Sequence, residues 1–214
     1  MKGAKAVRYY VETDGRIYLT PSEEGLDLPR TDEIPFDVDR IAPLAGDDDV
    51  WFCSPHLEEH PRGWPSKDHV QDRHDATARV RAAVHATMPR VVVEGICLRD
   101  GQVLLVKGSR GLTEGLWTLP GGFLRFGETP EDGVLREIRE EVGIEGEVED
   151  LVAVRSKLGR RTRLHWVMLF YRIATAGVPQ PRPDEIAEAS FVDMDVAARM
   201  LGDEVMASIV QHLE

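Results

Sequence analysis

The chain has 214 residues, 42% of them hydrophobic and 30% charged, and its formal net charge is −12. This composition is typical of a globular protein, and the negative charge argues against a general nucleic-acid or anionic-membrane binder. The two cysteines, Cys53 and Cys97, are too few for a disulfide framework. We see neither a signal-type start nor an apolar run of membrane-spanning length, so we expect a cytoplasmic protein.

The start of the chain predicts a small α+β arrangement with no catalytic motif. Two β-type runs, residues 7–12 and 16–20, flank Asp14-Gly15, a pair that supplies the positive φ angles of a tight turn. We expect a β-hairpin there. Residues 21–65 are rich in Pro, Asp and Gly, which favours irregular structure with one or two short strands.

A single helix is predicted from about residue 66 to Met88. Pro89 would end it, because proline disfavours a helical residue before it. Pro89 also marks the predicted boundary between an N-terminal extension or small domain, residues 1–88, and a larger domain, residues 89–214. We interpret the extension as an oligomerisation surface or a lid over the active site, and a homodimer is a candidate assembly.

Cysteine and histidine residues of the extension are spaced in a way that invites comparison with a zinc site. These residues are Cys53, His56, His60, His69 and His74. Structural zinc sites usually show two clear ligand pairs, and the chain contains no Cys-x2-Cys pair. We therefore favour solvated or capping histidines and keep a metal site as the alternative.

The larger domain alternates apolar strands with helical segments. Residues 91–98 and 103–107 are joined through Asp100-Gly101 and predict a second hairpin, buried on much of both faces. The further predicted elements are a short strand at 116–119 that leads into Pro120-Gly121-Gly122, strands near 150–156, 164–174 and 187–194, and helical segments from about 196 to 213. Strands with helices on both faces predict an α/β/α sandwich with a mixed sheet.

Residues 122–144, GFLRFGETPEDGVLREIREEVGI, contain a helix with clear boundaries. Thr129 is the predicted N-cap, Pro130 fits the first helical position, and Asp132 can close a capping box. Gly143 supplies the C-terminal stop. The sequence therefore predicts one helix that begins after a glycine-containing loop.

One side of this helix is apolar. Leu135, Ile138 and Val142 form a stripe that we expect to pack on the sheet. Gly133 is unusual inside a helix, because glycine costs about 1 kcal/mol relative to alanine there. Close packing of the helix against the sheet would explain it.

Another side of the helix carries three glutamates. Glu137, Glu140 and Glu141 stand at i, i+3 and i+4, so they share about a quarter of the helix circumference. Like charges at this spacing repel by roughly a few tenths of a kcal/mol per pair. A divalent cation would offset the repulsion, whereas the plainer alternative is a solvated acidic face.

The full spacing around these glutamates resembles the Nudix box at all nine of its specified positions. The matching pattern is Gly122-x5-Glu128-x7-Arg136-Glu137-Ile138-x-Glu140-Glu141-x-Gly143-Ile144. The resemblance covers about residues 90–214, and the N-terminal extension lies outside it. It implies a Nudix-type α/β/α sandwich and a hydrolase that cleaves the diphosphate linkage of a nucleoside diphosphate joined to another moiety.

The resemblance also implies a metal and its ligands. Mg²⁺ is the expected ion, with Mn²⁺ as a substitute, because it is a hard cation held by carboxylates, water and phosphate. The implied ligands are the side chains of Glu137, Glu140 and Glu141 and the backbone carbonyl of Gly121. Glu140 and Glu141 are therefore also predicted as catalytic residues.

Other residues of the box are implied to shape the loop. Arg136 would orient the loop by pairing with Glu128, and Gly122 and Gly143 would be structural glycines. The alternative for Arg136 is an ordinary surface ion pair.

A general base is needed as well, and the family often draws it from a loop before the last sheet strand. Glu185 stands at a comparable position and is our candidate base. Asp184 and Glu188 are its neighbouring alternatives.

Substrate contacts are predicted at Arg125, Arg161 and Trp166. Arg125 lies inside the box loop, and Arg161 belongs to a basic turn for which simple solvation is the favoured alternative. Trp166 could stack on a base, as could Trp117 and Phe170, although aromatic residues in strands are more often core residues.

The expected partner is a small molecule of the nucleoside diphosphate type. We lean towards ADP-ribose, although the chain lacks the proline beyond the box that many ADP-ribose diphosphatases carry. A nucleoside triphosphate and a dinucleoside polyphosphate stay open as substrates. A non-catalytic nucleotide sensor on the same fold is the alternative from another functional class.

Overall fold

The computed structural model describes residues 6–59 and 61–213. The chain divides into two compact units. The first consists of Met1–Pro89 with Leu158–His165, and the second of Arg90–Lys157 with Trp166–Glu214. No helix in the described part of the chain is long and apolar enough to cross a membrane.

The described residues of the first unit form six strands and one α-helix. They are β1 (Arg8–Thr13), β2 (Arg16–Tyr18), β3 (Thr20–Ser22), β4 (Gly25–Asp27), β5 (Val38–Leu44), β6 (Asp47–Pro55) and α1 (Ala78–Thr87). Four strands form a sheet in the order β2-β1-β6-β5, and β3 pairs with β4. Strands β1 and β2 pair antiparallel around Asp14 and Gly15, both with positive φ, so the predicted hairpin is confirmed.

Residues 21–65 are more ordered than their composition predicts. Strand β6 lies between β1 and β5, and its Val50 and Cys53 are buried. Strand β5 precedes β6 directly in the sequence, whereas β1 is distant from it. Pairing and burial therefore outweigh the local preference for irregular structure, because strand formation depends strongly on tertiary context.

The predicted single helix from residue 66 to Met88 is wrong in its first half. A 3-10 helix occupies Lys67–Asp72, and α1 begins only after Thr77, whose side chain accepts a hydrogen bond from the Val80 N–H. The chain between them bonds to β4 instead, since the Thr77 N–H donates to the carbonyl of Leu26. The helix ends before Pro89, as predicted.

The cysteine and histidine residues that suggested zinc have other surroundings. Cys53 is buried in an apolar cluster, and burial raises the pKa of its thiol to about 11. His56 pairs with Asp39 at 2.8 Å, and His60 lies outside the described residues. Across residues 6–59 and 61–213, no group of three His, Cys, Asp or Glu side chains is arranged to hold a metal.

In the second unit, the described residues form seven strands and three α-helices. They are β7 (Arg90–Arg99), β8 (Gln102–Gly108), β9 (Trp117–Thr118), β10 (Gly121–Phe123), α2 (Pro130–Val142), β11 (Gly146–Leu158), β12 (His165–Thr175), β13 (Ile186–Asp193), α3 (Met194–Met200) and α4 (Glu204–Gln211). The main sheet order is β11-β12-β7-β8-β13, with β10 paired to β7 and β9 to β8. β12 runs parallel to β7 and β8 antiparallel to it, so the predicted mixed sheet is confirmed.

The two faces of the sheet are covered by different helices. Successive residues of a strand point to opposite faces. Val93 and Cys97 of β7 pack in one apolar cluster with α2, whereas Val92 and Ile96 pack in another with α3 and α4. This arrangement confirms the α/β/α sandwich.

Candidate active site

Helix α2 begins and ends at the predicted residues. The Thr129 hydroxyl accepts a hydrogen bond from the Asp132 N–H at 3.2 Å, Pro130 is the first helical residue, and Gly143 ends the helix with a φ of 66°. The predicted capping box differs in one bond. The Asp132 carboxylate accepts from the Thr129 hydroxyl at 2.8 Å, rather than from the Thr129 backbone N–H.

The buried stripe of α2 is shifted by one residue from the prediction. Ile138 and Val142 are fully buried as expected, but Val134 takes the place assigned to Leu135, which is only partly buried. The sheet comes close at Gly95 of β7. A β-carbon there would lie 2.7 Å from Ile138 Cδ1, so glycine lets the helix approach the strand.

Gly133 faces the loop before the helix and not the sheet. A β-carbon on Gly133 would lie 3.0 Å from Leu124 Cδ1 and 3.2 Å from Glu128 Oε2. The helical glycine therefore makes room for the loop that leads into α2, and the expected explanation through the sheet is wrong.

Arg136 and Glu128 form a two-pronged ion pair between the helix and this loop. Arg136 Nε donates to Glu128 Oε1 at 2.7 Å, and Nη2 donates to Oε2 at 2.9 Å. Arg136 also donates to the carbonyl of Phe123 at 3.1 Å. The hydrogen bond from Arg136 and the one from the Arg125 N–H lower the pKa of Glu128 to about 2. The pair ties the loop to the first half of the helix.

The Gly121-Gly122 pair leaves space for two carboxylates. A β-carbon on Gly122 would lie 2.8 Å from Glu137 Oε1. A β-carbon on Gly121 would lie 2.8 Å from Oε2 of Glu94 and 2.2 Å from the carbonyl oxygen of Val93. A side chain at either position would collide with these groups, so β10 requires glycine at both positions.

The three glutamates of α2 have different partners. Glu137 accepts from Arg136 at 2.6 Å, and Glu140 accepts from Arg136 and Arg125, both at 3.0 Å. Glu141 turns towards the loop and accepts from the Gly121 N–H at 3.0 Å. The carboxylates therefore lie around the glycine pair, on the side where the loop meets the helix.

Burial disfavours the ionised form of two of these carboxylates, Glu137 and Glu141. Burial raises the pKa of Glu141 to about 8, and the charges of Glu137, Glu185 and Glu140 add to it, against the hydrogen bond from Gly121. Burial also raises the pKa of Glu137, while its hydrogen bond from Arg136 opposes the rise. Burial is the main cause of both shifts, so a positive charge at this site would stabilise the ionised carboxylates.

The donor set fits a hard divalent cation by its chemistry. Three carboxylates and the carbonyl of Gly121 are oxygen ligands of the kind that Mg²⁺ prefers. The carboxylates do not converge on one point among the described residues, because Glu140 is turned to the arginines. Cation binding would have to draw Glu140 away from Arg125.

Glu185 lies near this group of carboxylates. Its carbonyl accepts from the Ser109 N–H at 2.9 Å, and its carboxylate pairs with Arg110 at 2.5 Å. Its charge is one of those that raise the pKa of Glu141. Of the two alternatives, Glu188 pairs with Lys107 at 2.8 Å on β13 and β8, and Asp184 is exposed.

The three candidate substrate contacts are placed differently. Arg125 pairs with Glu140 at the site. The ring of Trp166 lies 5.6 Å from that of Phe123, which follows Gly122 and is 53% exposed. Arg161 lies in the exposed turn between β11 and β12, which belongs to the first unit. Phe170 is fully buried, which confirms the core interpretation for that residue.

One acidic residue of this region belongs to no motif in the sequence. Glu94 lies on β7 and is only 5% exposed. Burial, followed by the charge of Glu141, raises its pKa well above the ordinary value, and Lys157 opposes the rise. The available signal was a single charge in the middle of an apolar strand, VVVEGICL.

The part of the chain that contains this site matches a known protein family. The model of the NUDIX domain matches residues 88–213. An ADP-ribose pyrophosphatase of Methanocaldococcus jannaschii is 35% identical over 115 residues, which are 54% of this chain and 68% of that protein. A CTP pyrophosphohydrolase of Escherichia coli is 39% identical over 77 residues, 35% of this chain and 57% of that protein.

A solved structure gives the same result. A MutT NUDIX hydrolase from Burkholderia pseudomallei is 30% identical and superposes with a TM-score of 0.53, covering 59% of this chain and 99% of that one. Residues 1–87 lie outside the family match.

Proposed function

Because the chain belongs to the Nudix family of hydrolases, we propose that it cleaves the diphosphate linkage of a nucleoside diphosphate derivative with the help of Mg²⁺. One observation carries this proposal. Glu137 and Glu141 are partly buried carboxylates with raised pKa values, and they lie beside Gly122 and Gly121 respectively. A divalent cation would supply the positive charge that this group lacks.

The cation would be held by Glu137, Glu140, Glu141 and the carbonyl of Gly121. When bound, it neutralises charge on the diphosphate and lowers the pKa of an attacking water. The carboxylates alone could not bind a diphosphate, because both partners are negatively charged.

The remaining residues position the reacting groups. The ion pair between Arg136 and Glu128 holds the segment between β10 and α2 against the helix, so that Gly121 of β10 stays beside Glu141. Glu185 accepts a proton from the attacking water as general base, with Arg110 orienting its carboxylate. Arg125, released from Glu140 when the cation binds, is available to a phosphate oxygen of the substrate.

ADP-ribose is the substrate that we propose first. The relative from M. jannaschii, which shares 35% identity, is named for this activity. Phe123, which follows Gly122 in β10, forms an aromatic pair with Trp166 that offers a stacking surface for a nucleobase. Trp166→Ala is expected to raise the KM for the substrate about tenfold, the usual scale of one lost stacking contact.

A nucleoside triphosphate is the second candidate, since another relative is named a CTP pyrophosphohydrolase. The test is hydrolysis of a panel with Mg²⁺: ADP-ribose, CTP and a diadenosine polyphosphate. We expect the highest kcat/KM for ADP-ribose, and a higher value for CTP would favour the second candidate. Binding of these nucleotides without any product would contradict hydrolysis and favour a nucleotide sensor.

A further inference from the structure

Glu94 is a residue outside the Nudix box whose carboxyl group lies directly against Gly121 of β10. It stands opposite Gly121 where β7 pairs with β10. Its Oε2 atom lies 2.8 Å from the position that a β-carbon on Gly121 would occupy. The missing side chain of Gly121 therefore leaves room for Glu94.

The surroundings of Glu94 leave its charge uncompensated. The residue is 5% exposed, and none of the described residues donates a hydrogen bond to its carboxylate. Lys157 contributes the only nearby positive charge among the described groups acting on it, and the Lys157 ammonium already pairs with Asp203. Buried carboxylates are normally paired or bound to a metal, so this one lacks the expected partner.

Glu94 and Glu141 flank the same residue from two elements. Glu141 reaches Gly121 from α2 and accepts its N–H at 3.0 Å, whereas Glu94 reaches it from β7. The charges of Glu141 and Glu137 both act on Glu94. Glu94 therefore adds a carboxyl group from the sheet to the glutamates of α2 around Gly121.

We propose that Glu94 is a positioning residue of the cation site, acting through Gly121 and Glu141. It adds negative charge behind Gly121, whose carbonyl would bind the cation, while the pairing of β7 with β10 keeps Gly121 opposite Glu94. Carboxylates that support metal ligands in this way commonly change metal affinity when they are replaced. This inference rests on the proposed function, because it requires a divalent cation at the box.

If Glu94 only stabilised the fold, its replacement would have a different effect on the melting temperature of the ion-free protein. Replacing a carboxylate that stabilises the fold lowers the melting temperature. Glu94→Gln keeps the size of a buried carboxyl group that accepts no hydrogen bond from the described residues, so the melting temperature of the ion-free protein should not fall. The same substitution should reduce the increase in melting temperature on adding Mn²⁺.

The experiment measures Mn²⁺ binding to the full chain without substrate, from the electron paramagnetic resonance signal of free Mn²⁺. Glu94→Gln is expected to weaken the affinity about tenfold. Glu131→Gln is the matched control, since it removes a carboxylate at the exposed start of α2, where Glu131 accepts a hydrogen bond from Tyr171, and its Mn²⁺ affinity should equal that of the wild type. Glu94→Asp keeps the charge and should bind more tightly than Glu94→Gln.

The outcomes separate this inference from the proposed function. If Glu140→Gln weakens Mn²⁺ binding while Glu94→Gln binds like the wild type, the role of Glu94 is overturned and the proposed function stands. If the wild type does not bind Mn²⁺, or Glu140→Gln has no effect, the proposed function itself fails. If Glu94→Gln does not fold, Glu94→Asp decides: near wild-type affinity supports the charge argument, and a tenfold loss overturns it.

Discussion

Gly121 and Gly122 illustrate how single residues shape this site. Neither has a positive φ, so the backbone angle does not require glycine at either position. The requirement comes from space, since a β-carbon on Gly121 would lie 2.2 Å from the Val93 carbonyl oxygen, and one on Gly122 would lie 2.7 Å from the Glu137 carboxyl carbon. The neighbouring strand therefore requires glycine at Gly121, and the acidic helix requires it at Gly122.

Gly122→Ala should damage activity more than stability. The added methyl group would meet the end of the Glu137 side chain, which can move, so we expect a fall in kcat of at least about tenfold with little change in melting temperature. Gly121→Ala meets the Val93 backbone at 2.2 Å and should cost about 1–3 kcal/mol of stability.

Gly63→Ala is the matched control for both changes, because nothing lies within 4 Å of its β-carbon position and its φ is not positive. Equal loss of activity in Gly63→Ala, or unchanged activity in Gly122→Ala, would contradict this explanation. Kinetics and thermal unfolding of the purified variants provide the comparison.

Glu128→Gln should destabilise the protein in a pH-dependent way. Arg136 holds the pKa of Glu128 at about 2 in the folded state, against an ordinary value of 4.5. A lowered pKa contributes stability that is fully present above 4.5 and is lost as the pH falls through about 2. The difference in unfolding free energy between wild type and variant should therefore be constant above that window and shrink within it.

Urea unfolding of the metal-free proteins between pH 3 and 7 measures this difference. A difference that grows as the pH falls would show that the ion pair is not its source.

At the scale of elements, the packing of α2 on β7 depends on one close approach. A β-carbon on Gly95 would lie 2.7 Å from Ile138 Cδ1. Gly95→Ala should therefore destabilise the protein by about 1–3 kcal/mol through overpacking. Ile138→Val removes the Cδ1 atom and should cost about 0.5–1.5 kcal/mol alone.

The double variant tests this contact directly. Since Ile138→Val removes the atom with which the new methyl group collides, the double variant should lose less stability than the sum of the single variants. Additive losses, measured by chemical denaturation, would show that the two residues do not restrict each other.

Local signals in the sequence predict the helix α2 and both hairpins well. Thr129, Pro130 and Gly143 define the helix by chemistry that acts within a few residues. The place of β6 in the sheet of the first unit is not predicted, because β6 pairs with β1, which is distant in the sequence. The same limit applies to Glu94, whose place beside Gly121 arises from pairing between β7 and β10.

The glutamates of the box are identified by spacing, whereas their partners are not. No local pattern indicates that Glu140 pairs with Arg125, or that Glu141 accepts a bond from Gly121. These contacts require the loop to fold back on the helix. Spacing identifies the chemistry of a helix face, and tertiary structure decides what that face meets.

At the scale of the whole molecule, the first unit has an apolar core of its own that includes Tyr10, Ile17 and Leu28. Its residues 1–87 lie outside the family match, which covers residues 88–213. We keep our prediction that this part serves as an oligomerisation surface or a lid. Deletion of residues 1–88 should lower kcat/KM, reduce the size of the assembly, or do both.

Light scattering and steady-state kinetics of the deletion variant test this prediction. A variant with full activity and an unchanged assembly would contradict both roles.

The central claim is that the box glutamates support hydrolysis of a diphosphate by means of a divalent cation. The most direct test follows ADP-ribose by phosphorus NMR with wild type and Glu140→Gln, each with Mg²⁺ and with a chelator. We predict that wild type with Mg²⁺ converts the diphosphate signal into two phosphomonoester signals, AMP and ribose 5-phosphate. Chelation or Glu140→Gln should slow this conversion at least about a hundredfold without unfolding the protein. Undiminished turnover by folded Glu140→Gln, or by wild type in the chelator, would contradict the account.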